Sequence, residues 1–406
     1  MDNISHSLVG LAIGELVQRS LPPEPVAEQQ SLRRRLLLAA CGAASNLPDL
    51  DLVLSRLLPA PLGNLLHHRG YTHTFVYALV QAALLAGLLW ALWPAARRLL
   101  RTSSAARTGL LAVTVIGFLM HIALDYLNSY GVHPLYPFDQ RWLYGDILFI
   151  VEPVIWVAFG VPLALMPASR SLKIALLAVL AAVVALATAR GFLHWASMLA
   201  LAAVAIGLGS LQWKAPARSR RALLGALVVA IGFIGVQSLA SREGKRVVAS
   251  ELHAIDPASR LLDTALTGFP ANPLCWIFVS VERNDAAGTY RLRRGMLSVA
   301  PALLPAAACP AALSEPVAIA SSAINLAWKD EGRLADLRTR AAECHFHAWL
   351  RFARAPALGP ASATDARFSM GASDNFSTFS YAPFVGQPCP ASVPPWDLPR
   401  QDLLAP

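Results

Sequence analysis

Six stretches of this chain, residues 74–96, 109–127, 147–167, 172–189, 192–211 and 222–240, are apolar over 18–23 residues each. A helix rises about 1.5 Å per residue, so about 20 residues cross a hydrocarbon core of about 30 Å. Each stretch is therefore expected to be a spanning helix. Only 15% of residues are charged, against about a quarter in soluble globular chains, and the mean hydropathy is +0.48. Two shorter elements, about residues 3–18 and 35–57, precede the six. Residues 1–18 lack a basic leader and a small-residue cleavage site, so insertion is expected to rely on the helices themselves.

The charge distribution gives a direction. Arg19, Arg33–Arg35, Arg97, Arg98, Arg101, Arg107, Arg170, Lys173, Lys214, Arg218, Arg220 and Arg221 all fall in loops on one side, 14 cations against four on the other (Arg56, Arg69, Arg141 and Arg190). Positive loops stay in the cytoplasm. The net charge of +9 is then topology, and no basic patch interleaved with aromatics points to nucleic acid. The same count places Met1–His6, Asn46–Asp51, His67–His73 and the 128–146 loop at the outer side.

Beyond the last span the composition turns Pro-rich and polar. Trp276–Glu282, Tyr290–Val299 and His345–Phe352 read as strands separated by turn residues. The expected architecture is an all-α polytopic membrane domain, residues 1–240, followed by an extracytoplasmic β-rich domain, residues 241–406. Cys275, Cys309, Cys344 and Cys389 suit an oxidising compartment and two disulfides, with the pairing left open. Cys41 reads as a small packing residue. His345 and His347 would share one face of a strand.

Ionisable groups at a membrane edge are costly and mark function, and here they cluster. His6 is followed by Gly10 and Gly14 on one helix face, a stripe that admits a close neighbour. Asn46–Asp51 reads NLPDLD, where an N-cap role accounts for one of Asp49 and Asp51 but less well for both. The segment HHRGYTHTF carries His67, His68 and His73 just before a span. His121 and Asp125 stand four residues apart on one helix face, and Asn128 continues that face. Asp146 is expected to begin the next helix, and Glu152 lies inside its apolar run, followed by Pro153. Histidines with carboxylates suit zinc or manganese better than copper. The expected metal ligands are His6, Asp49, His68, His73, His121 and Asp125, holding one to three divalent ions, with Asp51 and Glu152 as bases.

These motifs, in this order, resemble the YdjM/DUF457 family of membrane-bound, predicted metal-dependent hydrolases. The carriers are His6–Gly10–Gly14, Pro48–Asp49–Asp51, His68–Arg69–Gly70–Thr72–His73, His121–Asp125, Asn128–Tyr130–Gly131 and Glu152–Pro153. Where the family often has Asp-Pro this chain has Glu152–Pro153. The segment Phe269–Trp276 resembles the start of the outer domain in longer members. More remotely, the pattern is similar to the zinc-dependent phospholipase C and single-strand nuclease group, in which a His-x-x-x-Asp pair ligates zinc, as His121 and Asp125 would. The resemblance implies hydrolysis of a phosphoester in a lipid or envelope precursor, at the outer face of the inner membrane. The alternative is a transporter or envelope factor whose cluster is an ion path or a structural metal site.

Overall fold

A computed structural model describes residues 1–216, 219–310, 318–319, 321–369 and 374–405. Helix α1 (Asn3–Ser20) starts where Asp2 accepts hydrogen bonds from the Ile4 and Ser5 amides, an N-cap that satisfies two free donors. It packs along α2 (Ala27–Ala44) through the glycine stripe. A Cβ at Gly10 would lie 2.4 Å from Ser45 Oγ, and one at Gly14 would lie 3.2 Å from Cys41 Cβ. The two helices can approach this closely only because those side chains are missing. Gly10→Val is expected to lower stability by about 1–3 kcal/mol through overpacking, read as a lower melting temperature in detergent.

After α2 the chain tightens into a 3₁₀ stretch, Leu47–Leu57, then forms α3 (Leu62–His67) and a single turn, Tyr71–His73. Next come α4 (Phe75–Leu92), α5 (Pro94–Thr102) and α6 (Ser104–Tyr126), the first and last capped by the Thr74 and Ser103 hydroxyls. Four more helices follow: α7 (Pro153–Ala164), α8 (Arg170–Ala189), α9 (Trp195–Trp213) and α10 (Arg221–Ile255). Among the described residues six segments are long and apolar enough to cross a membrane: Ala27–Leu57, α4, α6, α8, α9 and α10. This is a multi-pass membrane architecture.

Two expectations about spans change. The 147–167 run contains a helix of only 12 residues, α7, about 18 Å long and short of a bilayer core. Residues 147–152 precede it without helical structure. The Ile147 and Leu148 amides donate to Leu127 O, and the Asp2 amide donates to Ile150 O. Asp146 does not begin a helix; it has a φ of +52° and lies seven residues before α7. In turn the early 35–57 element extends back to Ala27 and becomes long enough to span.

The basic residues do gather at one end. Glu15 bridges Arg19 and Arg34, both at 2.8 Å, while Glu24 holds Arg33 at 2.7 Å and the Ser103 hydroxyl at 2.7 Å. The opposite end carries the β-rich part.

Helix α10 runs 35 residues without a break, from the apolar bundle into the β-rich domain. There Val248 and Leu252 pack against Leu266, Trp276, Phe278 and Leu297. The sheet is antiparallel, with β1 (Arg260–Phe269), β2 (Asn272–Asn284), β3 (Thr289–Ser298), β4 (Ala318–Ile319) and β5 (Ile324–Arg333) in the order β1-β2-β3-β5-β4. Helices α11 (Leu334–Ala341) and α12 (Cys344–Leu350) lead into a small sheet of β6 (Pro356–Leu358), β7 (Ser362–Asp365) and β8 (Phe379–Ser380). The expected strand over His345–Phe352 is thus a helix. Its buried Phe346, Trp349 and Leu350 recur at the i, i+3, i+4 spacing of a helix face, so His345 and His347 do not share one. The disulfides are Cys275–Cys309 and Cys344–Cys389.

The β-rich domain does not float. Its core includes Leu62, Leu65, Leu66 and Trp142 from the first half of the chain, and Trp396 Nε1 donates to Leu66 O at 2.8 Å. Arg354 pairs bidentately with Asp146 at 2.8 and 2.9 Å and with Asp263 at 2.7 and 3.0 Å, tying the sheet to the loop above the bundle.

Candidate metal centre

At the end opposite the basic loops, three elements bring four donor atoms together: Asp49 from the 3₁₀ stretch, His73 from the short turn, and His121 with Asp125 from the last turns of α6. His121 Nε2 and His73 Nε2 are 3.0 Å apart. Asp125 Oδ2 lies 3.2 Å from His73 Nε2 and 3.4 Å from His121 Nε2. Asp49 Oδ1 lies 3.5 Å from each imidazole nitrogen. Donor atoms on a tetrahedral ion with bonds of 2.0–2.1 Å stand about 3.3 Å apart. The five distances from the two imidazole nitrogens, 3.0–3.5 Å, are close to that spacing, and all four atoms lie within 4.8 Å of one another.

Their protonation supports the same fit. His121 Nδ1 is 2.8 Å from Ser45 O, a carbonyl that only accepts, so this nitrogen carries the proton. His73 Nδ1 faces Asp51 Oδ2 at 3.2 Å and Thr72 Oγ1 at 3.0 Å. The Thr72 hydroxyl donates to that same carboxylate at 2.7 Å, so it too accepts from His73. Both Nε2 lone pairs therefore point inward at each other, and at two carboxylate oxygens. Asp125 Oδ2 is buried with no hydrogen-bond donor. Four acceptors converging in a dry site repel one another unless a cation sits between them.

The other carboxylate oxygen of Asp125 is well held. Arg69 Nη2 pairs with Oδ1 at 2.8 Å, the Met1 α-amino group bonds to it as well, and His6 Nε2 lies at 3.3 Å. His6 also stacks on His121 with centroids 4.0 Å apart, so it borders the group. Asp51 stands behind it. Its Oδ1 takes His68 Nδ1 at 2.9 Å, and its Oδ2 takes the Arg69 amide at 3.0 Å besides Thr72 and His73. Partners of this kind fix imidazole tautomer and orientation. His68 is thereby kept out of the four-donor group and remains partly exposed, at 18%.

Glu152 is positioned apart from the four. It caps α7 by accepting from the Val154 amide at 3.1 Å and holds the β1–β2 turn through the Ala271 amide at 3.0 Å. Burial pushes its carboxyl up to about 8, against the two amides that oppose the shift. His67 ends α3 outside the group. His133, buried between Trp142 and Trp396, is pushed down to about 3 by burial and serves packing.

Arg69 is the residue that sequence reasoning passed over. It has a φ of +58° and is 3% exposed, with Nη1 on Asn128 Oδ1 at 3.0 Å. The signal was present: an arginine inside a histidine motif, and one of only four cations on the sparse face. Beside it opens a cavity of about 370 Å³ between bundle and sheet. His68, Arg69 and Tyr130 line one side, and Ile277, Arg294 and Phe368 the other.

Comparison with known proteins finds matches over part of the chain. An uncharacterized protein of Bacillus subtilis (strain 168), YfhP, is 25% identical over 171 residues, covering 42% of this chain and 48% of that relative. The chain thus aligns with about half the length of this relative. No solved structure matches. The family model described as YdjM inner membrane protein matches residues 1–189, the part that contributes every donor of the centre, so this part of the chain is similar to that family.

Proposed function

We propose that the four-donor group binds a divalent metal, zinc by its donor chemistry, and that the protein is a membrane-bound metal-dependent hydrolase. The observation that carries the metal reading is the pair of imidazole nitrogens 3.0 Å apart, both protonated on their far side. Two nitrogen and two carboxylate donors match zinc or manganese. When bound, the ion would polarise a substrate oxygen and acidify water near neutral pH.

The chain's own residues supply the rest. Asp51 holds His68 by Nδ1, so His68 Nε2 faces the cavity ready to take a proton, an arrangement suited to general base catalysis. Asp51 itself is saturated by four donors and acts as a positioning residue. Arg69 carries positive charge to the cavity wall, and Arg294 and Arg367 line it too. These guanidiniums, with Arg69 paired to Asp125 and Arg367 to Asp365, bring N–H donors to a wall that also holds Ile277 and Phe368, which suits a phosphoester on an apolar body, such as a lipid or envelope precursor. The basic loops at the far end support an extracytoplasmic position for this cavity and the β-rich domain, at the inner membrane.

Purified protein should carry about one equivalent of zinc or manganese, lost in the His73→Ala/His121→Ala double variant. Hydrolysis of a phosphodiester probe should disappear with chelator, return with metal, and fall about 10²–10⁴-fold in His68→Ala at unchanged metal content. Metal-free protein that is fully folded, or metal content indifferent to the double variant, overturns the metal reading. Metal-loaded protein without hydrolysis of phosphoester or lipid probes overturns the enzymatic one.

A further inference from the structure

At the basic end, far from the metal centre, two cavities of opposite character meet. One, of about 530 Å³, is polar and lined by Arg19, Arg34, Lys173 and Gln212 with Glu15. The other, of about 760 Å³, runs along the bundle between α1, α7 and α8 and is lined by Leu8, Leu11, Gly160, Leu163 and Leu180 among others. Glu15, Arg34 and Met166 line both, so the two are continuous. Each falls within the range of about 300–1,000 Å³ usual for ligand sites.

The polar part carries a surplus of positive charge. Glu15 is shared between Arg19 and Arg34, so three cations face one carboxylate. No acidic partner of Lys173 is found among the described residues, and Arg34 stays 47% exposed. Gln212 Oε1 is buried there with no hydrogen-bond partner. The apolar part is walled on one side by α8, a spanning helix with no buried residue, so the groove is open to lipid along its length.

We infer that these joined cavities form a specific site for an anionic glycerophospholipid, with its phosphate between Arg34 and Lys173 and one acyl chain in the groove past Gly160. Charge complementarity selects the anionic headgroup, since basic pockets between spanning helices on the positive side recognise such heads. The groove supplies the length that a free phosphate would not use. Gly160 keeps the path clear: a Cβ there would meet only Leu180 at 3.5 Å and Leu8 at 3.9 Å, ordinary contacts, whereas a larger side chain would fill the passage.

Native mass spectrometry of the full chain in detergent, titrated with phosphatidylglycerol, phosphatidylcholine or inorganic phosphate, tests this. Phosphatidylglycerol should bind at least about fivefold tighter than phosphatidylcholine, from about 1 kcal/mol per basic residue near a headgroup. Lys173→Glu should abolish that preference while leaving residual phosphatidylcholine binding. Gly160→Leu, with an unchanged melting temperature, should weaken both lipids together. Equal affinity for the two lipids, a preference that survives Lys173→Glu, lipid binding unchanged by Gly160→Leu, or displacement of lipid by millimolar phosphate would each overturn the inference.

Discussion

Replacing Asp125 with alanine is expected to abolish metal binding and to destabilise the protein in the same step. The first effect follows from the donor count, because one of four donors is lost and the remaining three no longer enclose the ion. Removal of a residue that merely orients a ligand costs about 10–100-fold in affinity, and loss of a ligand should exceed that. The second follows from what Asp125 neutralises. Arg69 and the Met1 α-amino group both pair with its Oδ1, and both are buried. Breaking a buried pair by deleting one partner costs about 3–5 kcal/mol. Asp51→Asn gives the contrast: its side chain touches two histidines but supplies no donor to the group, so metal affinity should fall only 10–100-fold. Metal content by mass spectrometry and melting with and without chelator separate the two effects. An Asp125→Ala protein that still holds its metal would remove Asp125 from the centre.

Arg354→Ala is expected to loosen the β-rich domain from the bundle. The guanidinium is 5% exposed and bonds both Asp146 and Asp263, and its ring neighbour Tyr144 lies 4.1 Å below it. Lys245 also reaches Asp146 at 2.7 Å, and Arg400 reaches Asp263 at 3.2 Å, so the carboxylates keep part of their compensation. Removing the central cation should still cost about 3–5 kcal/mol, on the order of 10 °C in melting temperature, with faster proteolysis of residues 241–406. Arg354 and its neighbours hold the Asp263 carboxyl well below the usual range. A carboxyl whose folded value is depressed stabilises the fold above its unfolded value, near 3.9. That contribution fades as pH falls further towards the folded value. Wild-type protein should therefore lose stability below about pH 4, and Arg354→Ala should lose less over the same interval. An equal acid slope in both would exclude this network as its origin.

The membrane class and the clustered donor groups were legible in the sequence for the same reason. A bilayer penalises polar groups, so long apolar runs and the rare His and Asp at their ends both stand out. Asp49, His73, His121 and Asp125 were all among the expected ligands. What distinguishes His68 from His73 was not legible. The two lie five residues apart in one motif and both set Nδ1 against Asp51; only the tertiary fold turns the Nε2 of His73, and not that of His68, towards His121 and Asp125. The division of labour between Asp49 and Asp51 was hidden likewise, since a 3₁₀ path and not an α-helix decides which carboxylate faces inward. The 147–167 run misled because apolar residues before α7 are held by backbone bonds to Leu127, a long-range fact. At His345–Phe352 a short apolar segment suited either period, and packing by Phe346 and Trp349 chose the helix.

The uninterrupted α10 sets a phase as well as a distance. Its 35 residues end only four residues before β1 and its Val248 and Leu252 pack on the sheet, so the sheet is indexed to the bundle as a gear is keyed to its shaft. Each residue along that shaft turns the sheet by about 100° and lifts it by about 1.5 Å. The roof over the cavity can therefore tilt with the helix as a rigid piece, but it cannot swivel on its own. A change of length in the loops of the β-rich domain should therefore leave its seat unchanged, whereas one inserted residue in the shaft should unseat it.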